Sequence, residues 1–274
     1  MNMRLVALLV SLFPSASAYE WFYGNATLFH SESSYCDVDN YLMRNYSGPL
    51  SGFIPTVSIK DKLHDTHGYI GYQPITQSIA VAFRGSESVS NWLSDLNAVM
   101  TDYPNCQGCQ VHKGFYTAEQ AVFLQVKNEV DRLLSKYPDY QVLVTGHSLG
   151  AALATLTAVD LRSEGIDNVN MFSYGSPRIG NTAFANFYSS LLGNNTNRIT
   201  HHKDIVPHTP MHERFTHISR EYYQPNDSVT LIECNGNEDP KCSYQWHITS
   251  VDDHLKYLGL AMGNSESACI QVLK

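Results

Sequence analysis

The chain has 274 residues, with 18 basic against 26 acidic side chains, a formal net charge of −8 and 43% hydrophobic residues. That length suits one well-buried α/β domain better than two. The acidic balance argues against a nucleic-acid partner, which needs a basic face, and against tight docking on anionic membranes, though not on a neutral lipid surface.

In chain order, Arg4 and the apolar run 5–13 precede Ala16-Ser17-Ala18, the pattern of a secretory signal peptide cleaved after residue 18. The run is too short to span a bilayer, and no later segment approaches ~20 apolar residues, so no stable membrane insertion is expected. No repeat or low-complexity linker interrupts residues 19–274, which read as a single domain. Cys36, Cys106, Cys109, Cys234, Cys242 and Cys269 make an even set, and in a secreted chain that implies disulfides before metal or redox chemistry. Proximity favours Cys106 with Cys109 and Cys234 with Cys242, which would leave Cys36 for Cys269, although sequence alone leaves the connectivity open. Sequons at Asn25, Asn45, Asn194 and Asn226 are glycosylation candidates consistent with secretion.

Residues 68–72 and Ser78–Phe83 read as two strands around a turn at Gln73-Pro74. After Phe83-Arg84-Gly85-Ser86 comes the segment 87–99, whose apolar residues Val89, Trp92, Leu93 and Leu96 recur at i, i+3, i+4 and i+7. That spacing predicts an amphipathic helix, most simply a packed surface helix. Residues 117–137 predict a second helix, opened by a Thr117/Gln120 capping box, with Val122, Val126, Val130, Leu133 and Leu134 on one face. The β-branched run 142–145 then leads into Gly146-His147-Ser148-Leu149-Gly150 and the helix-favouring stretch 151–156. Strand, G-x-S-x-G and helix in that order form the context of a nucleophile elbow. A strand at Val169–Tyr174, a helix around 183–192 and a strand at 198–200 follow. Strands alternating with helices imply a mostly parallel central sheet flanked by helices.

A serine nucleophile needs a histidine to take its proton and a carboxylate to orient that histidine. Asp204 falls just past the strand at 198–200, at the sheet edge shared with the elbow, though it equally suits the start of the turn to Pro207. His254 lies near the C-terminus, with His208, His217 and His247 as competitors on spacing alone. The oxyanion of an acyl-transfer intermediate calls for two backbone N–H groups, for which Leu149 and the loop at Ser86 are candidates. No metal site emerges. His212 and His217 are one residue too far apart for the H-E-x-x-H pattern, and Pro210 spoils a helical His208/His212 pair.

Taken together these segments resemble the secreted fungal class 3 lipases, the triacylglycerol lipase group that also contains feruloyl esterases. The resemblance runs from about residue 68 to residue 269. It rests on Phe83-Arg84-Gly85-Ser86, Asn91-Trp92, the elbow, the segment Tyr174-Gly175-Ser176-Pro177-Arg178-Ile179-Gly180-Asn181, Asp204-Ile205-Val206-Pro207 and Asp253-His254. It implies an α/β-hydrolase fold with a helical lid over residues 87–99, Ser148 as nucleophile, Asp204 as acid and His254 as base. It also implies an oxyanion hole at Ser86 and Leu149, and disulfides Cys36–Cys269, Cys106–Cys109 and Cys234–Cys242. Ala151 stands where a third glycine is usual in fungal lipase elbows, as it does in feruloyl esterases and partial-glyceride lipases. The expected activity is hydrolysis of glyceride esters through an acyl-serine, by a monomer at an oil–water interface and without a cofactor. Alternatives are a feruloyl esterase, a mono- or diacylglycerol lipase, and more remotely a non-catalytic secreted protein that keeps the fold.

Overall fold

The computed structural model describes residues 21–211, 214–263, 265 and 268–270. The expected signal segment and the pair His212 and Glu213 therefore lie outside the described residues. Helix α1 (Trp21–Ser33) leads to the antiparallel strands β1 (Ile54–Asp61), β2 (Thr66–Gln73) and β3 (Ser78–Phe83). Helix α2 (Val89–Asp95) and a small hairpin, β4 (Met100–Asp102) with β5 (Gln110–His112), precede helix α3 (Lys113–Lys136). Then β6 (Gln141–His147), α4 (Leu149–Ser163), β7 (Val169–Tyr174), α5 (Thr182–Leu191) and β8 (Thr196–His201) alternate. Strands β9 (Glu221–Gln224) and β10 (Ile232–Glu233) and a short hairpin of β11 (Lys256–Tyr257) and β12 (Leu260–Ala261) complete the described elements.

Eight strands form one sheet in the order β1-β2-β3-β6-β7-β8-β9-β10, parallel from β3 through β9. Its central strands are buried on both faces, so they read as continuous apolar runs. Val142 and Val144 face the core shared with α3 and α4, whereas Leu143 faces a second core that includes Leu28 of α1. Neighbouring residues thus supply opposite layers, as the two-residue period of a strand requires.

Three local outcomes differ from the sequence reading. Helix α3 begins at Lys113, because the His112 ring caps it by accepting the Phe115 N–H at 3.3 Å. Thr117 instead donates back to the Lys113 carbonyl at 2.8 Å, and Gln120 donates to Glu119 and Asp160. Helix α2 ends at Asp95, leaving Leu96 in an extended conformation just beyond it. Helix α1 had no signature in the apolar pattern because much of its buried face is polar. Ser31 bonds Thr145 at 2.8 Å, Thr27 bonds Tyr174 at 2.9 Å, His30 bonds Tyr69 at 2.8 Å, and the Ser34 hydroxyl donates to the Phe83 carbonyl at 3.1 Å. Every one of those groups is paired, which is the condition for burying them.

Disulfides join Cys36 to Cys269, Cys106 to Cys109 and Cys234 to Cys242. Among the described residues no helix is long and apolar enough to cross a membrane.

Candidate active site

Ser148 sits between the end of β6 and the start of α4 at φ +60° and ψ −127°, a strained conformation for a residue with a side chain. The turn is held by the Ser148 N–H donating to the Tyr174 carbonyl of β7 at 3.0 Å. Gly150 admits the neighbouring backbone: a Cβ there would lie 2.3 Å from the Phe83 carbonyl oxygen. The end of β3 therefore lies against the first turn of α4, and the loop Arg84-Gly85-Ser86 passes beside the elbow. Arg84 anchors that loop, donating to Asp65 at 2.6 Å and Glu87 at 2.9 Å.

Asp204 follows β8 and His254 sits in a one-turn 3₁₀ helix, Asp252–Leu255. Their loops are zipped together. The Ser250 N–H donates to the Lys203 carbonyl at 2.7 Å, and the Ile205 N–H donates to the Ser250 carbonyl at 3.2 Å. His254 Nδ1 and Asp204 Oδ2 are 2.8 Å apart with both side chains buried. Asp204 Oδ1 accepts the Val206 N–H at 2.8 Å, and Tyr257 Oη donates to Asp204 Oδ2. Burial first, and then the Asp204 carboxylate, push the Tyr257 phenol well up, so it remains a donor. Gly175, at φ +59°, makes room for the pair: a Cβ there would lie 2.8 Å from Asp204 Oδ2 and 2.9 Å from His254 Nδ1. Ser148, Asp204 and His254 thus come together at the C-terminal ends of β6, β7 and β8, where ligands collect in open α/β sheets.

Two further groups support this arrangement. His147 Nε2 donates to the His254 carbonyl at 2.9 Å, and its ring stacks on His254 at 4.4 Å. The other nitrogen of His147 accepts from Tyr35 Oη at 2.8 Å. Burial, with a smaller contribution from His254, holds His147 far below the usual histidine range and hence neutral. Sequence reasoning missed Tyr35, His147 and Tyr257. Only His147 carried a signal, as the residue beside Ser148 in the elbow. Of the competing histidines, His217 is buried and bonded to the Pro207 carbonyl at 2.7 Å, His208 lies half-buried on the Asp204 loop, and His247 is exposed.

Leu149 is the first residue of α4, so its N–H has no acceptor within the helix. The Ser86 hydroxyl is turned into its own loop, donating to the Ser88 carbonyl at 3.3 Å. Ser88 in turn caps α2 by accepting the Asn91 N–H at 3.4 Å. Helix α2 lies over the elbow: Trp92 and Leu96 line a cavity of about 240 Å³ together with His112, Phe115, Ala118 and Leu149. Val89 is buried, Leu93 half-buried, and Trp92 stacks on Phe115 at 6.2 Å. The cluster of ligand-type atoms at Glu32, Cys36 and Cys269 has its two sulfurs joined to each other and offers no thiolate.

These features can be set beside known proteins. The family model for class 3 lipases matches residues 80–214. A lipase from Rhizomucor miehei is 39% identical over 209 residues, covering 73% of this chain and 57% of the relative. Secreted mono- and diacylglycerol lipase A from Penicillium cyclopium is 40% identical over 168 residues, covering 60% and 54%. The chain spans little more than half the length of these curated relatives. Among solved structures, a triacylglycerol lipase whose catalytic centre is formed by a serine-protease triad superposes with a TM-score of 0.84 at 32% identity, over 90% of this chain and 98% of that one. The Rhizomucor miehei triacylglyceride lipase gives a TM-score of 0.82 at 31% identity, again over 90% and 98%. With the motifs, the α/β-hydrolase fold and near-complete coverage of solved relatives in agreement, the chain belongs to the class 3 lipase family.

Proposed function

We propose that this chain is a secreted carboxylic ester hydrolase acting on glycerides at a lipid–water interface, with Ser148, Asp204 and His254 as its triad. One observation carries the reading. Ser148 Oγ and His254 Nε2 are both buried polar atoms with no hydrogen-bond partner, while the opposite nitrogen of His254 is tied to Asp204. Other buried atoms also lack a partner, but here a hydroxyl on a strained strand–helix turn and an imidazole oriented by a carboxylate share one sheet edge, the set that acyl transfer uses.

The chemistry then follows. Ser148 Oγ bonds to the ester carbonyl carbon as its proton passes to His254 Nε2, and Asp204 stabilises the resulting imidazolium. The N–H groups of Leu149 and Ser86 receive the oxyanion. The bond to the alcohol oxygen breaks as His254 gives that oxygen its proton. His254 Nε2 then takes a proton from water as it attacks the acyl carbon, and returns that proton to Ser148 Oγ as the acyl–serine bond breaks and the fatty acid leaves. These steps balance without a cofactor. Helix α2 with Leu96 just beyond it serves as the lid: Val89, Trp92, Leu93 and Leu96 cover the site in water and turn outward onto lipid. Residues 1–18 act as the signal peptide and 19–274 as one hydrolase domain. Exposure of all four sequon asparagines is consistent with glycosylation during export.

Partial-glyceride selectivity is a second reading, favoured by Ala151 in the elbow and by 40% identity to a mono- and diacylglycerol lipase. A panel of mono-, di- and triglycerides beside methyl ferulate separates the readings. Hydrolysis of glycerides that rises sharply once tributyrin exceeds its solubility supports the lipase. Simple saturation below that limit, with turnover of methyl ferulate, points to a feruloyl esterase. Covalent labelling by a phosphonate ester, lost in Ser148→Ala, is expected, and absence of labelling in the unaltered protein would refute an acyl-serine enzyme.

A further inference from the structure

One side chain joins the downstream end of the lid to the cavity beneath it. His112 is buried where β5 passes into α3 and is engaged in three directions. Its Nδ1 accepts the Phe115 N–H, which makes Nε2 the protonated nitrogen, and Nε2–H donates to the Asn97 carbonyl. Its ring stacks on Phe115 at 4.0 Å and 25°, and the far end of this aromatic column is Trp92 of the lid. The three rings line the same cavity beside Leu149.

Asn97 lies in the turn by which the chain leaves α2. Its Oδ1 accepts the Val99 N–H at 3.4 Å, and the Val99 carbonyl accepts the Lys113 N–H at 2.8 Å. The downstream end of the lid is thus fixed to the start of α3, and a swing of α2 has to pivot just before Asn97. Helix caps are ordinarily Ser, Thr, Asp or Asn. A histidine in this position reaches further, acting as cap, tether and apolar wall together.

Resting on the lipase reading above, we propose that His112 is a positioning residue that couples occupancy of this cavity by an acyl chain to the position of the lid. An acyl chain entering past Leu149 takes over the face of Phe115 that Trp92 covers in the closed arrangement. The tether to Asn97 holds the pivot while Trp92 leaves. The acyl chain therefore binds the open arrangement better than the closed one, which is the differential contact a ligand needs in order to shift such an equilibrium. Esters with chains too short to reach Phe115 draw nothing from this coupling.

The test compares dissolved 4-nitrophenyl acetate with 4-nitrophenyl octanoate in His112→Asn and His112→Gln. Asparagine keeps the cap on α3 but falls short of Asn97, so the fold is retained while the tether and wall are lost. For His112→Asn the expected result is a fall in octanoate kcat/KM about tenfold greater than the fall in acetate kcat/KM, carried by a raised octanoate KM, the scale of one lost hydrogen bond. Glutamine, long enough to reach the Asn97 carbonyl, is expected to recover part of the octanoate loss. Equal losses on both esters, or an unchanged octanoate KM in His112→Asn, would overturn the coupling and leave His112 a helix cap. Failure of the unaltered protein to turn over either ester would instead overturn the lipase reading, and the coupling with it.

Discussion

Tyr257 places a second donor on the oxygen of Asp204 that already holds His254. That oxygen fixes the tautomer and orientation of the imidazole, so anything that reorients the carboxylate reaches Ser148 indirectly. Tyr257→Phe removes the donor and keeps the ring, and it is expected to lower kcat on a dissolved ester roughly tenfold with KM unchanged. Asp204→Asn presents an amide where a carboxylate stood and is expected to cost on the order of 10³–10⁴-fold in kcat, with Ser148 still in its strained turn. Steady-state kinetics on one soluble ester measures both, and a Tyr257→Phe effect confined to KM would mean that Tyr257 does not act through Asp204. At this scale the strand–turn–helix around Ser148 was legible, because it needs only a local pattern of glycines, strand and helix. Asp204 and His254 were ambiguous on spacing, since their meeting depends on a loop pairing between residues 203–205 and 250. Tyr35, His147 and Tyr257 hold the site through contacts that no local pattern encodes.

Among the elements, strands β3 and β7 have the bounds read from sequence, because an apolar, β-branched run flanked by turn residues has few other uses. Helix α3 was legible in its apolar face but not in its start, where a ring acts as the cap. Helix α2 carries only seven residues, and its half-buried Trp92 rests on Phe115. Trp92→Ala is expected to lower activity on emulsified glycerides more than on dissolved esters, whereas equal losses in paired assays would make α2 a structural helix only. The contact of α3 with α4 contains an unusual buried pair. Glu119 accepts from Thr157 and Gln120, Asp160 accepts from Gln120 and Tyr103, and neither carboxyl has a cationic partner among the described residues. Burial, and then the Asp160 charge, hold Glu119 well above the usual carboxylate range, and burial raises Asp160 from 3.8 to about 6. The folded state thus binds more protons than the unfolded one. This contribution is fully present below pH ~4 and is lost as pH rises through about 6 and beyond, by up to ~1.4 kcal/mol per pH unit for each proton. Glu119→Gln needs no proton, so urea melts at pH 5 and pH 8 should show the variant gaining stability relative to the unaltered protein as pH rises. A pH-independent difference would show that Glu119 titrates normally.

Across the whole molecule, the Cys36–Cys269 disulfide closes a span of 233 residues, linking the end of α1 to the last described segment. By the chain-entropy estimate its removal costs about 5 kcal/mol. The double variant Cys36→Ser/Cys269→Ser is expected to melt far lower than the unaltered protein, and an unchanged melting temperature would show that the bridge constrains little. Alternation of strands and helices made the parallel sheet readable at this scale. The layer formed by α1 was not, because polar residues bury themselves there only against partners that come much later in the chain. Two hydrogen bonds of α1 reach far along the sequence: Ser31 meets Thr145, 114 residues on, and Thr27 meets Tyr174, 147 residues on. Helix α1 can therefore meet β2 and β3 early, through Tyr69 and Phe83, but its bonds to β6 and β7 wait until those later strands have been made. Pairings this distant in sequence slow folding. Because Tyr35, just past the end of α1, also steadies His147 beneath the imidazole of His254, hydrolytic competence would arrive only once α1 has docked on the central strands.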